Sequence, residues 1–160
     1  MYDFQIAATD PATFYRDLLA ALSALVEGEP DPIANMANAS ALLMDQMPDL
    51  NWAGFYRNID GELVLGPFQG KAACIRIPFG KGVCGTAAAT QTVQRVADVH
   101  AFPGHIACDA ASRSELVVPI VRDGQLLAVL DLDSPTPERF SAEDEAGCMA
   151  IGARLASIFR

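Results

Sequence analysis

The sequence predicts an α+β domain, with a central antiparallel sheet of five or six strands flanked by helices at the amino and carboxyl ends. Three observations carry this. Two stretches near the amino terminus and one at the carboxyl terminus place apolar residues at helical spacing behind capping residues. The middle of the chain breaks into short apolar runs separated by turn signals. A chain of 160 residues is one-domain length, and folding at that size removes roughly 70% of the unfolded surface from water.

Residues 11–27, PATFYRDLLAALSALVE, begin with Asp10 placed to cap and Pro11 at the first helical position. Residues 31–47, DPIANMANASALLMDQM, repeat this with Asp31 before Pro32, and Pro48 closes the helix. From Asn51 onward the runs NWAGFYR, ELVLGPF and ACIRIPF read as strands. GKGVCGTAAATQ reads as a glycine-rich turn into a short helix, and TVQRV as a further strand. A loop over 98–114 follows, long enough inside a compact domain to be a functional segment. ELVVPIV and QLLAVLDLD form a hairpin, for which Arg122, Asp123 and Gly124 predict a three-residue loop with Gly124 left-handed. Ser141 and Asp144 stand in capping positions for a closing helix over 141–159. No linker, repeat or low-complexity tract divides the chain, so residues 1–160 are expected to form one unit.

Composition narrows the function. A net charge of −9 with 11 scattered basic residues argues against nucleic-acid binding, which rests on Lys and Arg neutralising phosphates. No run approaches the ~18 apolar residues of a membrane span. The amino terminus, MYDFQIAATDPATF, carries acidic residues where a secretory leader carries positive charge, so a cytoplasmic protein is expected. In that reducing compartment Cys74, Cys84, Cys108 and Cys148 need a reason other than structural disulfides. There is no CxxC pair, and the trio His100, His105 and Cys108 obeys no metal-ligand spacing, so neither a metal nor another cofactor is expected.

Chemistry gathers around the stretch GHIACDAASRSE, residues 104–115, a polar loop that carries a cysteine, normally among the most buried residue types. The last strand alternates, with Val129, Asp131 and Asp133 on one face and Ala128, Leu130 and Leu132 on the other. A three-residue hairpin loop sets Glu115 opposite Asp131, so Glu115, Asp131 and Asp133 converge where the Cys108 loop meets the sheet. A two-residue loop sends Glu115 to the opposite face. Clustered carboxyls raise at least one pKa and call for a cation or a proton; the plain alternative is solvated strand-end acids. Cys84 follows two glycines near a helix start, where the dipole favours a thiolate. Cys74 begins an apolar run, and Cys148 reads as a small core residue.

The runs NWAGFY (51–56), LVLGPFQGKAAC (63–74), IPFGKGVCGTAA (77–88), VADVHAFPGHIACDAASRSELVVPI (96–120) and LAVLDLDSP followed by RFSAEDE resemble the free methionine-(R)-sulfoxide reductases, which are small stand-alone GAF domains. The resemblance covers about residues 51–147 and includes cysteines at 74, 84 and 108; Cys148 lies outside the pattern. It implies a GAF fold and thiol-dependent reduction of free methionine R-sulfoxide. Cys108 is then the nucleophile, and Cys74 or Cys84 resolves its sulfenic acid into a disulfide. Glu115, Asp131 and Asp133 supply a proton to the sulfoxide oxygen and hold the substrate ammonium. Trp52 and Tyr56 form an aromatic wall, their alternative being strand packing. The implied partners are thioredoxin or a similar dithiol, and a second copy of the chain in a homodimer. The competing readings are a non-catalytic GAF module sensing a small ligand, and a thiol redox sensor without turnover.

Overall fold

A computed structural model of the chain describes residues 2–106 and 110–159. Helices α1 (Pro11–Val26) and α2 (Pro32–Gln46) start where the proline and aspartate signals place them. The Asp10 carboxylate accepts from the Thr13 amide at 3.0 Å and Asp31 from Ala34 at 2.9 Å, satisfying donors that a helix start leaves free. Helix α4 (Ala142–Ile158) opens with a reciprocal Ser141–Asp144 capping box.

Between them lie β1 (Trp52–Ile59), β2 (Glu62–Gly70), β3 (Arg76–Pro78), α3 (Gly82–Thr90), β4 (Gln94–Val96), β5 (Ser114–Arg122) and β6 (Gln125–Ser134). The strands make one six-stranded sheet in the order β3-β2-β1-β6-β5-β4, antiparallel throughout. Strand β3 is shorter than the ACIRIPF run, and Cys74 falls in the connection before it. Pro78, which has no amide to donate, is tolerated because β3 is an edge.

The pleat sorts two cores. Ala53 and Phe55 of β1, Leu116, Val118 and Ile120 of β5, and Ala128, Leu130 and Leu132 of β6 pack against α1, α2 and α4. Trp52, Tyr56, Val117 and Val129 face the other way, toward α3 and its Val83, Cys84, Ala87 and Ala88. Cys148 is fully buried in the first core, as its sequence context predicts.

The β5–β6 hairpin departs from the expected three-residue loop. Arg122 pairs with Gln125, leaving the two residues Asp123 and Gly124 at the turn, both with positive φ (52° and 76°). By itself this turn would send Glu115 to the helical face. A register shift between Ile120 and Val121 restores the parity: Leu126 packs in the second core, while Leu127 and Ala128 both lie against the first. Glu115 therefore sits opposite Asp133, and Asp131 opposite Val117, instead of Glu115 opposite Asp131. The three carboxyls still share one face. Among the described residues no helix is long and apolar enough to cross a membrane.

Candidate active site

The site is built on the face of the sheet opposite the three long helices, where β1, β6 and β5 run side by side. Trp52 pairs with Asp133, Gly54 with Asp131, and Tyr56 with Val129, which sets an aromatic row beside the acidic one. Trp52 stacks on Phe68 (centroids 5.1 Å apart) and on Tyr56 (5.9 Å). Gly54 makes this possible: a Cβ there would lie 2.8 Å from the Trp52 ring and inside the Phe68 side chain. The Trp52 indole donates to the Lys71 carbonyl at 3.1 Å and the Tyr56 hydroxyl to the Cys74 carbonyl at 2.9 Å. Both aromatic side chains are buried, and their polar ends tie down the connection that carries Cys74.

Helix α3 covers the acidic row and brings Cys84 with it. The Cys84 thiol lies 3.8 Å from Glu115 Oε1, and one donor atom each of Cys84, Glu115 and Asp131 falls within 4.8 Å of the others. Glu115 is 6% exposed and Asp131 5%, so these groups meet away from bulk water. Burial pushes the Glu115 carboxyl well up, reinforced by the charges of Asp131 and Asp133; burial raises Asp131 too, against hydrogen bonds from Glu115 and Cys84. Both carboxyls of the pair are thus shifted toward their protonated forms. Asp131 Oδ1 is buried with no hydrogen-bond partner.

These groups line a cavity of about 30 Å³, closed further by Ala73, Ile77, Ser112 and Ile106. Ile106 packs against Gly82, 3.2 Å from where a Cβ would stand. Ser112 is buried and its hydroxyl accepts from the Asn51 side-chain Nδ2 at 3.1 Å, while the Arg113 backbone amide donates to the Ser134 carbonyl at 2.7 Å. These bonds fasten the end of the 98–113 segment to the sheet. His105 lines the cavity, its pKa lowered by partial burial and then by His100. Lys81, exposed at the rim, is the one Lys or Arg among the described lining residues.

A GAF domain model matches residues 10–158. The chain belongs to the GAF domain family. This GAF domain is 55% identical over 145 residues to a free methionine-R-sulfoxide reductase of Escherichia coli, covering 91% of this chain and 88% of that protein. It is 47% identical over 136 residues to one of Saccharomyces cerevisiae, covering 80% and 76%. The crystal structure of free methionine-R-sulfoxide reductase from Neisseria meningitidis in complex with its substrate superimposes with a TM-score of 0.95 at 42% identity, covering 99% of this chain and 96% of that one. The GAF domain here thus falls in the branch of the family that holds these reductases.

Against the sequence reading, the GAF domain brings together Trp52, Tyr56, Cys84, Glu115, Asp131 and Asp133 around one cavity. Cys74 stands just outside the lining and is disulfide-bonded; Cys84 and Cys148 are free. Cys108 lies outside the described residues. Cys84 departs from expectation. It does sit in the first turn of α3, but burial, with Asp131 and Glu115 next, drives its pKa well up, so desolvation and three carboxyls outweigh the helix dipole. Ser112, Lys81 and Ile106 were not legible as site residues: none has a chemical signature in isolation, and only the fold carries them to the cavity, where the Asn51 side chain holds Ser112.

Proposed function

We propose that this GAF domain reduces free methionine R-sulfoxide to methionine, using its own cysteines as the immediate reductant and a thioredoxin-type dithiol to restore them. The observation that carries the reading is the buried acid pair, one oxygen of which has no partner, set beside a stacked aromatic wall in a single cavity.

A sulfoxide sulfur accepts a nucleophile, and its oxygen departs only when protonated. The Cys108 thiolate attacks the sulfur to form a transient S–S bond, Glu115 protonates the sulfoxide oxygen, and that oxygen passes to Cys108 as a sulfenic acid as the S–O and S–S bonds to the substrate sulfur break and methionine leaves. A second thiol displaces water from that sulfenic acid, forming a disulfide that an external dithiol exchanges back to thiols. Cys74 is assigned as this resolving thiol because, among the described cysteines, it is the one that stands oxidised. Cys84, held protonated between the acids, is suited to retaining a proton in the site and not to opening attack.

Specificity for the free amino acid follows from the charges. The unpartnered Asp131 oxygen, with Asp133, takes the ammonium, and Lys81 at the amino end of α3 takes the carboxylate. A peptidyl methionine lacks both charges and would leave these groups unsatisfied. The Trp52–Tyr56 wall receives the methyl and sulfur. The chain is read as one GAF unit over 1–160, working in the cytoplasm and pairing as a homodimer.

The reading is tested by giving the fully reduced protein one equivalent of free methionine R-sulfoxide without external reductant. One methionine should form per chain, with one new disulfide joining Cys108 to Cys74 by peptide mapping. Methionine formation in a Cys108→Ser variant contradicts it.

A further inference from the structure

Three donors from three different elements, Cys84 of α3, Glu115 of β5 and Asp131 of β6, converge on one buried point with their donor atoms within 4.8 Å of one another. A thiolate and a carboxylate bound tetrahedrally to one zinc ion, at about 2.3 Å and about 2.0–2.2 Å, stand roughly 3.5 Å apart. The Cys84 Sγ to Glu115 Oε1 separation is 3.8 Å. A second observation points to a ligand independently: Asp131 Oδ1 is buried and has no hydrogen-bond partner, and Asp131 lines the same cavity as Cys84 and Glu115.

We propose that the reduced protein binds one borderline-soft divalent cation, of which Zn²⁺ is the type, through Cys84, Glu115 and Asp131, and that the bound ion blocks the site. One sulfur and two oxygens suit zinc better than Mg²⁺ or Ca²⁺, which want six or more oxygens. On binding, the thiol proton and any proton on the carboxyls leave to solvent, and three anionic ligands face a 2+ ion. Ligand spacing along the chain misses this site because its members are 31 and 16 residues apart on separate elements. The blocking effect rests on the reductase reading: the ion takes the oxygen meant for the substrate ammonium and the carboxyl meant for the sulfoxide, so ion and substrate exclude each other.

The test begins with binding, read without turnover. Co²⁺ is titrated into a Cys74→Ser/Cys108→Ser variant, which keeps Cys84 and Cys148, followed by displacement with Zn²⁺. One equivalent should bind with a sulfur-to-cobalt charge-transfer band that adding Cys84→Ser abolishes, and Asp131→Asn should weaken Zn²⁺ affinity by at least about tenfold. Zn²⁺ should also raise the thermal midpoint of the reduced wild-type chain and not that of Asp131→Asn, a readout that holds if the triple variant fails to fold. A missing band, a band that survives loss of Cys84, or an unchanged affinity in Asp131→Asn overturns the site. In turnover, Zn²⁺ should raise the apparent KM for the sulfoxide; purely noncompetitive inhibition overturns the blocking mechanism. A zinc-free protein that binds the ion as described yet never reduces the sulfoxide overturns the reductase reading and leaves the metal site standing.

Discussion

The hydroxyl of Tyr56 donates to the backbone carbonyl of Cys74 at 2.9 Å, so the aromatic wall of the cavity and the oxidised cysteine share one fastening. Tyr56→Phe keeps the ring on Trp52 and removes only that bond, worth about 1 kcal/mol. The first turnover, measured as methionine released by reduced protein without external reductant, should change less than twofold. Disulfide formation, followed by quenched alkylation, should slow up to about fivefold. Slowing confined to the first step would mean that Tyr56 acts on substrate and not on Cys74.

Gly54 makes a second prediction. Its pairing with Asp131 and Phe68 places it under the ring of Trp52, where even a methyl group has no room. Gly54→Ala should cost about 1–3 kcal/mol by overpacking and raise KM more than it lowers kcat, because the wall tilts while the acids remain. Denaturant unfolding and steady-state kinetics on one preparation check both halves.

With Glu115 as the proposed acid, its stability and activity effects carry opposite signs. Its folded carboxyl is raised by burial, then by Asp131 and Asp133, whereas the unfolded chain titrates near the ordinary value of about 4.3. The folded state therefore holds a proton that the unfolded state releases, and this contribution to stability is lost as pH rises from about 4.3 toward the folded value, by up to about 1.4 kcal/mol per pH unit. Glu115→Gln removes that slope. The variant should be more stable than wild type at pH 8, with the gap closing toward pH 4, while turnover falls about 10²–10⁴-fold, the range of a lost general acid. Chemical unfolding at several pH values measures the first and steady-state rates the second.

The same acid pair shows what the sequence could and could not disclose. The three long helices were legible because Asp10, Asp31 and Ser141 announce their starts locally. The common face of Asp131 and Asp133 followed from strand alternation alone. The face of Glu115 did not, because it depends on a turn and a bulge together: Asp123–Gly124 alone gives the wrong parity, and the shift at Ile120/Val121 corrects it. The three-residue loop was the wrong route to the right face. Cys84 was misread for a related reason. Its helix start is local information, but the burial that dominates its titration comes from the tertiary fold, and the carboxyls that add to it arrive from strands 31 and 47 residues away.

Cys148 provides a control within the chain. It is buried in the helical core, and burial, with Asp144 beside it, pushes its thiol up to about 12. Cys148→Ala should leave turnover within twofold of wild type and cost about 1 kcal/mol of stability. In the native reduced protein this thiol should be the last to react with an alkylating reagent, followed by mass spectrometry of each cysteine peptide.

In the proposed function one cavity, with its paired acids, aromatic wall and nearby cysteines, reduces the free R-sulfoxide. The most direct measurement offers free methionine R-sulfoxide, free methionine S-sulfoxide and a peptidyl methionine sulfoxide to the protein with dithiothreitol or a thioredoxin system, and counts methionine formed. Consumption of the free R-epimer alone, abolished by Cys108→Ser, is the result predicted. No consumption of the free R-epimer, or consumption that survives Cys108→Ser, would contradict it.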